Sequence, residues 1–289
     1  MFTEYGGVIP EIAARDHSVK IIEILKTLLD KTGKNLNDIS LIAYTAGPGL
    51  IGSLMVGETV AKTISEVLKI ELLPINHLEG HILTPGLEKD GLKPPYLCLL
   101  VSGGHTQIIR CDDYGDYEII GETVDDACGE AFDKVGKLLN LEYPGGPKVS
   151  KLAEKGDKNK FSFPRAMMKD KNLNFSFSGL KTAVLYALED LSEGDYPDVA
   201  ASFQEAVIEV LTTKLSWAVE ETGIKKLVCS GGVASNQLLR DRLKALAEEQ
   251  DLQLSYPSME FCTDNAAMIA YAGYIRKKFK LKTYQTNFA

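Results

Sequence analysis

The sequence predicts an α/β protein built as two lobes, and three observations carry that reading. Helical and strand periodicities alternate along the chain with no low-complexity linker. Two apolar strands, at 99–104 and 226–232, end in the same Ser-Gly-Gly junction. The 289 residues exceed one core when a domain takes about 150 residues.

The elements follow in order. EIAARDHSVKIIEILKTLLDKTG carries Ile12, Val19, Ile22, Leu25 and Leu29 at helical spacing, with Gly33 as the stop. A strand over Ser40 to Thr45 runs through a glycine-proline turn into a second helix. The short strand ELLPI then leads into NHLEGHIL, where Asn76 is suited to cap a helix. After the Lys93-Pro94-Pro95 break, YLCLLVSGGHTQIIRCDD reads as two strands joined at Gly103-Gly104. The helix DDACGEAFDKVGKLLN stops before the YPGGP turn. A basic, irregular stretch extends to about Phe177, followed by the helix SGLKTAVLYALED. Helices VAASFQEAVIEVLTTKLSWAVEE and SNQLLRDRLKALAEE flank the strand KLVCSGG, and TDNAAMIAYAGYIRKKF closes the chain. The expected division is 1–94 as an N-terminal lobe, 95–262 as a C-terminal lobe, and 263–289 as a final helix returning to the first.

Several function classes are excluded. No run approaches the roughly 18 apolar residues of a membrane span, and MFTEYGGVIPEIAARDH lacks the basic and apolar regions of a signal peptide, so a cytoplasmic protein is expected. The five cysteines never form CxxC, which predicts free thiols rather than disulfides or a cysteine zinc site. A net charge of -8 opposes indiscriminate nucleic-acid binding. Local charge is uneven: Lys148 to Lys181 holds nine basic and three acidic residues, Arg276 to Lys282 five basic and none acidic, and Asp112 to Asp133 nine acidic and none basic. These runs are solvated faces or selected docking faces for RNA.

The chemistry-bearing constellation begins with His77 and His81. Four residues apart, they lie about 40° apart on one helix face, a spacing that suits two imidazole ligands on one ion or two surface histidines. A peptidase of the HExxH type places its glutamate directly after the first histidine. Here the glutamate is Glu79, about 200° around the helix from His77, where it cannot serve as that base. Asp264, at the start of the last helix, is the candidate third ligand, and the competing reading is that Asp264 or Thr263 caps the helix. Two histidines and a carboxylate leave open positions on iron or zinc for a substrate oxygen. The Ser-Gly-Gly junctions, with a third glycine turn at Ala46-Gly47-Pro48-Gly49, are tight turns or a nucleotide cradle, since adjacent amides without a Cβ nearby bind anions.

Read in order, YGGVIPEIAARDH, NHLEGH, LLVSGGHTQ, DDACGEAFDK, YPGGP, FSFSGLKTA, CSGGVASN and CTDNAAMIA closely resemble the TsaD family of tRNA threonylcarbamoyltransferases, long labelled O-sialoglycoprotein endopeptidase-like, and FSFSGLKTA resembles its bacterial form. The resemblance implies the two-lobed actin, sugar kinase and Hsp70-like (ASKHA) α/β fold. It implies transfer of threonylcarbamoyl from threonylcarbamoyl-AMP to N6 of the adenosine 3′ of the anticodon, in tRNAs reading codons that begin with A. It also implies one divalent metal per chain on His77, His81 and Asp264, iron(II) ahead of zinc(II), and threonylcarbamoyl-AMP or ATP/ADP against Leu100, Val101, Ser102, Gly103, Gly104, Asp133, Gly146 and Asn236. Each of the last three has a structural alternative: helix-surface carboxylate, turn glycine and helix cap. His105 is a candidate base by type and position only. The implied partners are tRNA, a TsaB-like paralogue and a TsaE-like ATPase, with a homodimer as a further expectation.

The resemblance is incomplete at one end. The family's opening strand, acid-containing glycine turn and hairpin do not precede Tyr5, so an incomplete N-terminal lobe is expected. That keeps a non-catalytic scaffold in contention beside the metallopeptidase.

Overall fold

The structure is a computed structural model that describes residues 9–88 and 91–282. Tyr5 to Val8 of the first motif lie outside the described residues. The chain divides into two compact units, one of Met1–Leu87 with Asn265–Ala289 and one of Glu88–Asp264. No helix among the described residues is long and apolar enough to cross a membrane.

The first unit opens with α1 (Pro10–Thr32), whose first-turn proline costs no hydrogen bond and whose C-cap Gly33 sits at φ 64, where glycine is favoured. β1 (Leu41–Gly47) and β2 (Glu71–Asn76) pair in parallel from Leu41 opposite Glu71 to Thr45 opposite Ile75, with α2 (Ile51–Leu68) as the crossover. They form the whole of this unit's sheet among the described residues. β2 runs directly into α3 (His77–Leu83), and the cap expected at Asn76 forms: its side chain accepts from the Leu78 amide at 2.8 Å. The last helix, α9 (Ala266–Phe279), belongs to this unit. It packs on β1 so closely that a Cβ on Gly273 would lie 2.7 Å from that of Ala43. α1 buries none of its residues fully, and Val19 and Ile24 stand 71% and 63% exposed.

The second unit holds a five-stranded sheet ordered β5-β4-β3-β6-β7. β3 (Tyr96–Val101), β4 (Thr106–Asp113) and β5 (Asp116–Glu122) form an antiparallel meander, whereas β6 (Lys226–Ser230) and β7 (Gln253–Ser255) add in parallel beyond β3. Every β3 residue is buried, as its unbroken apolar run requires of a central strand. The helices are α4 (Cys128–Leu138), α5 (Gly145–Ala153), α6 (Ser178–Leu188), α7 (Tyr196–Thr222) and α8 (Gln237–Gln250). α7 is the hydrophobic centre: fifteen of its 27 residues are buried, and Phe203 meets Phe132 edge to face at 5.1 Å. All five cysteines are buried free thiols, as their spacing predicts.

Four elements differ from the sequence reading, one of them β7, where no strand was expected. β5 was not expected, because acidic residues break up its apolar pattern in DYEIIGE. Helix 125–140 starts later, at Cys128. The YPGGP turn is also the start of α5, because the glycines remove side chains between α4 and α5: a Cβ on Gly136 would lie 2.8 Å from the Cα of Gly145.

The basic segment, expected to be irregular, is helical as far as Ala153 within α5 and irregular only beyond it, and its charge is largely met. Lys148 pairs with Glu142 at 2.6 Å, Lys158 with Glu205 at 3.4 Å, Lys160 with Asp195 and Asp198 at 3.1 and 2.8 Å, Arg165 with Glu209 at 2.9 Å, and Lys171 with Glu220 at 3.6 Å. Four of these partners lie on α7, which carries the acids that the local sequence lacks, and Asp195 stands just before it. Exposed pairs like these stabilise weakly, so they set the face's charge more than its stability.

Candidate metal and nucleotide sites

α3 positions the two histidines. Its 3.6-residue period brings the rings of His77 and His81 to 4.8 Å between centroids, at 84° to each other. The ligand atoms of His77, His81 and Asp264 all lie within 4.8 Å of one another. Ligands bonded at about 2.1 Å stand roughly 3 to 4.2 Å apart, so side-chain adjustments of under about 1 Å close this set on an ion. The donor set of two imidazoles and a carboxylate fits a divalent metal with positions left open. The capping alternative for Asp264 is answered directly: Asn265 is the N-cap of α9, and its side chain accepts from the Met268 amide at 2.9 Å.

Glu79 is not one of this ligand set. It is buried, and its Oε2 accepts from Arg276 Nε at 2.6 Å. That ion pair on α9 was not foreseen. The sequence signal was present, as an arginine in a run of cations and a glutamate inside an apolar helix.

The candidate nucleotide loops stand together in the second unit. β3 and β6 are neighbouring parallel strands with Leu100 opposite Ser230, so both Ser-Gly-Gly junctions leave the sheet at the carboxyl ends of adjacent strands, where α/β folds place their ligands. Ser102 folds the first loop by accepting from the Gly104 and His105 amides at 3.3 and 3.0 Å. Cβ atoms added at Gly103, Gly104 or Gly232 would meet nothing within 4 Å, which leaves room beside that backbone. The first turn of α4 lies against the loop: the Gly129 amide donates to the Ser102 carbonyl at 3.1 Å, and a Cβ on Gly129 would sit 2.5 Å from that oxygen.

A hydrogen-bonded chain joins three further expected residues. Asp133 Oδ1 accepts from the Gly145 and Gly146 amides at 2.7 and 3.3 Å. The Gly146 carbonyl accepts from the Ser150 hydroxyl at 3.0 Å, and Ser150 Oγ accepts from Asn236 Nδ2 at 2.8 Å. Burial raises the Asp133 carboxyl above its ordinary range against the lowering pull of the two amides. Asn236 has the capping role as well: its Oδ1 accepts from the Leu239 amide at 3.0 Å, and its Nδ2 also donates to Gln204.

The sequence reading also missed Asp125. It receives the Ser176 and Ser178 hydroxyls at 2.5 and 2.7 Å and the Phe177 and Ser178 amides at 2.8 and 3.2 Å, so it organises the FSFSG segment.

Comparison with known proteins fits this geometry. The family profile described as TsaD: tRNA N6-adenosine threonylcarbamoyltransferase matches residues 1–271. A protein of that name from Methylobacillus flagellatus is 50% identical over 280 residues, covering 96% of this chain and 83% of its own length. Another of that name, from Herminiimonas arsenicoxydans, is 48% identical over 293 residues, covering 100% of this chain and 86% of its own. Among solved structures, T. kodakarensis HypF superposes with a TM-score of 0.71 at 17% identity, over 92% of this chain and 44% of its own. A full-length HypF in a phosphate- and nucleotide-bound form gives 0.66 at 14%, over 90% and 41%. These two likenesses bear on the fold alone, a mixed α/β architecture of the ASKHA kind. By sequence, from its first residue to the last helix, the chain belongs to the TsaD family of tRNA N6-adenosine threonylcarbamoyltransferases.

Proposed function

We propose that this chain transfers a threonylcarbamoyl group from threonylcarbamoyl-AMP to N6 of the adenosine 3′ of the anticodon, in tRNAs reading codons that begin with A. The observation that carries the site is the gathering of His77, His81 and Asp264 within 4.8 Å in a chain of this family. A divalent ion held there, iron(II) ahead of zinc(II), supplies Lewis acidity toward a substrate oxygen.

The chain's own groups have separate tasks. The Ser102 to Gly104 loop offers backbone amides to phosphate or carbamoyl oxygens, with Leu100 and Val101 fixing its root in the sheet. Asp133 accepts from ribose hydroxyls through Oδ2, while Oδ1 stays on the glycine amides. Gly146 brings backbone close to the sugar or base, and Asn236 holds the Ser150 end of that network. In the transfer, the adenosine nitrogen bonds to the carbamoyl carbon, the carbon–oxygen bond to phosphate breaks, AMP leaves with the electron pair, and the nitrogen gives up a proton. Holding both reactants in line is the main catalytic contribution of such a site. ATP or ADP would occupy the same loops in the absence of the acyl-adenylate.

The reading extends to a cytoplasmic protein working with tRNA, a TsaB-like paralogue and a TsaE-like ATPase, with a homodimer as an alternative assembly. A peptidase role is disfavoured, because the glutamate it would need is buried against Arg276. A scaffold role is disfavoured by the gathered ligand set.

The test combines elemental analysis with titration of a non-hydrolysable threonylcarbamoyl-adenylate analogue into wild type and His77→Ala/His81→Ala. About one iron or zinc per chain and analogue binding, both lost in the variant, support the transferase site. A wild type with neither overturns it.

A further inference from the structure

Glu79 sits between the two histidines in sequence, yet it takes no part in the donor set. Its side chain is 2% exposed and its partner Arg276 is 10% exposed. Burying an ion pair contributes little net stability, because desolvation of both charges offsets their attraction. Such a pair does impose geometry: Arg276 donates through Nε to Glu79 Oε2 at 2.6 Å, and through Nη1 to the Lys282 carbonyl at 2.6 Å. α3 carries His77 and His81, and α9 begins two residues after Asp264 and is capped by Asn265. The pair therefore ties together the two elements that present the donors.

Gly80 supplies a second point of contact. A Cβ there would lie 2.9 Å from Ile269 Cδ1 and 3.1 Å from Met268 Cγ, so the side chains of the first turn of α9 close directly on the α3 backbone at Gly80. Gly80 fixes how near the two helices come, and Glu79 with Arg276 fixes how far one can slide or turn along the other. We propose that Glu79, Arg276 and Gly80 are positioning residues that hold His77, His81 and Asp264 at ligand distance before the metal arrives. This rests on the metal reading above. Groups that orient ligands in this way typically change metal affinity by about 10- to 100-fold.

The test separates positioning from simple structural support. Apolar replacement of a whole buried ion pair is often neutral for stability, so Glu79→Met/Arg276→Met removes the directional bond while leaving a packed contact. Zinc affinity would be measured by competition against a colorimetric chelator, and melting of the metal-free full chain by circular dichroism. The expected result is a double variant that melts near wild type but binds zinc at least about tenfold more weakly. Gly80→Ala is expected to weaken zinc binding likewise. Equal zinc affinity in wild type and double variant overturns the proposal. If the double variant does not fold, Arg276→Lys, which keeps the charge but loses the forked donor, carries the same comparison, and unchanged zinc affinity in it overturns the proposal. A wild type that takes up no zinc or iron overturns the metal reading itself, and the positioning role falls with it.

Discussion

Gly231 lies against Val101 so closely that a Cβ on the glycine would stand 2.3 Å from the Val101 carbonyl oxygen. The contact joins the two Ser-Gly-Gly junctions back to back, and Gly231 reaches it at φ 95, a conformation that side chains rarely adopt. Gly231→Ala is therefore expected to lose about 1–3 kcal/mol of stability from backbone strain alone, before the clash is added. Urea denaturation reads the loss. The analogue should also bind more weakly, because the first loop is displaced.

Asp125 makes stability depend on acid. Burial alone would raise its carboxyl, but the hydroxyls of Ser176 and Ser178 and the amides of Phe177 and Ser178 outweigh it and hold the group below its ordinary value of 3.8. A carboxyl lowered in the folded state stabilises above its unfolded value, and that contribution is lost as pH falls from about that value through the lowered one. Asp125→Asn should flatten this part of the acid-side decline. Unfolding curves at a series of pH values check it, and an unchanged slope would sink the assignment.

Lys214 is fully buried on α7, and its Nζ donates to the carbonyls of Met167 and Asn172 at 2.8 and 2.7 Å while lying over the rings of Phe175 and Trp217. It pins the irregular segment before α6. Lys214→Met keeps the aliphatic stem but leaves two carbonyls unmet, which is expected to cost about 2–4 kcal/mol. Limited proteolysis should then cut between Met167 and Asn172 in the variant and spare the wild type.

Metal removal should be visible in melting. An ion at a concentration 100 times its dissociation constant adds about 2.7 kcal/mol to the folded state. Chelation is therefore expected to lower the melting temperature of wild type and leave His77→Ala/His81→Ala unmoved. Equal shifts in both proteins would place the chelator's effect elsewhere.

How much the sequence disclosed depended on whether the deciding partner was local. His77 and His81 share one helical turn, so their common face was legible from spacing alone. The Asn76 cap and the Gly33 stop were legible for the same reason. Asp264 was ambiguous because Asp264 or Thr263 could also have capped the last helix, and the structure gives the cap to Asn265, which the sequence reading had not named. Glu79 with Arg276, Asp125 with the FSFSG serines and Lys214 with its carbonyls are all distant in sequence. No window along the chain contains both members of any of these sets. The basic segment teaches the same lesson: most of its counter-charges come from α7, so its composition overstated its net field.

The pairing of Glu79 with Arg276 also sets an order on synthesis. The glutamate and both histidines leave the ribosome before the whole of the second unit, and the arginine follows it. Until Arg276 has been made, the nascent first unit cannot form the ion pair that joins its two helices. The second unit can condense around its own sheet in the meantime. Final closure of the first unit is thereby postponed until the whole of the second unit has been made.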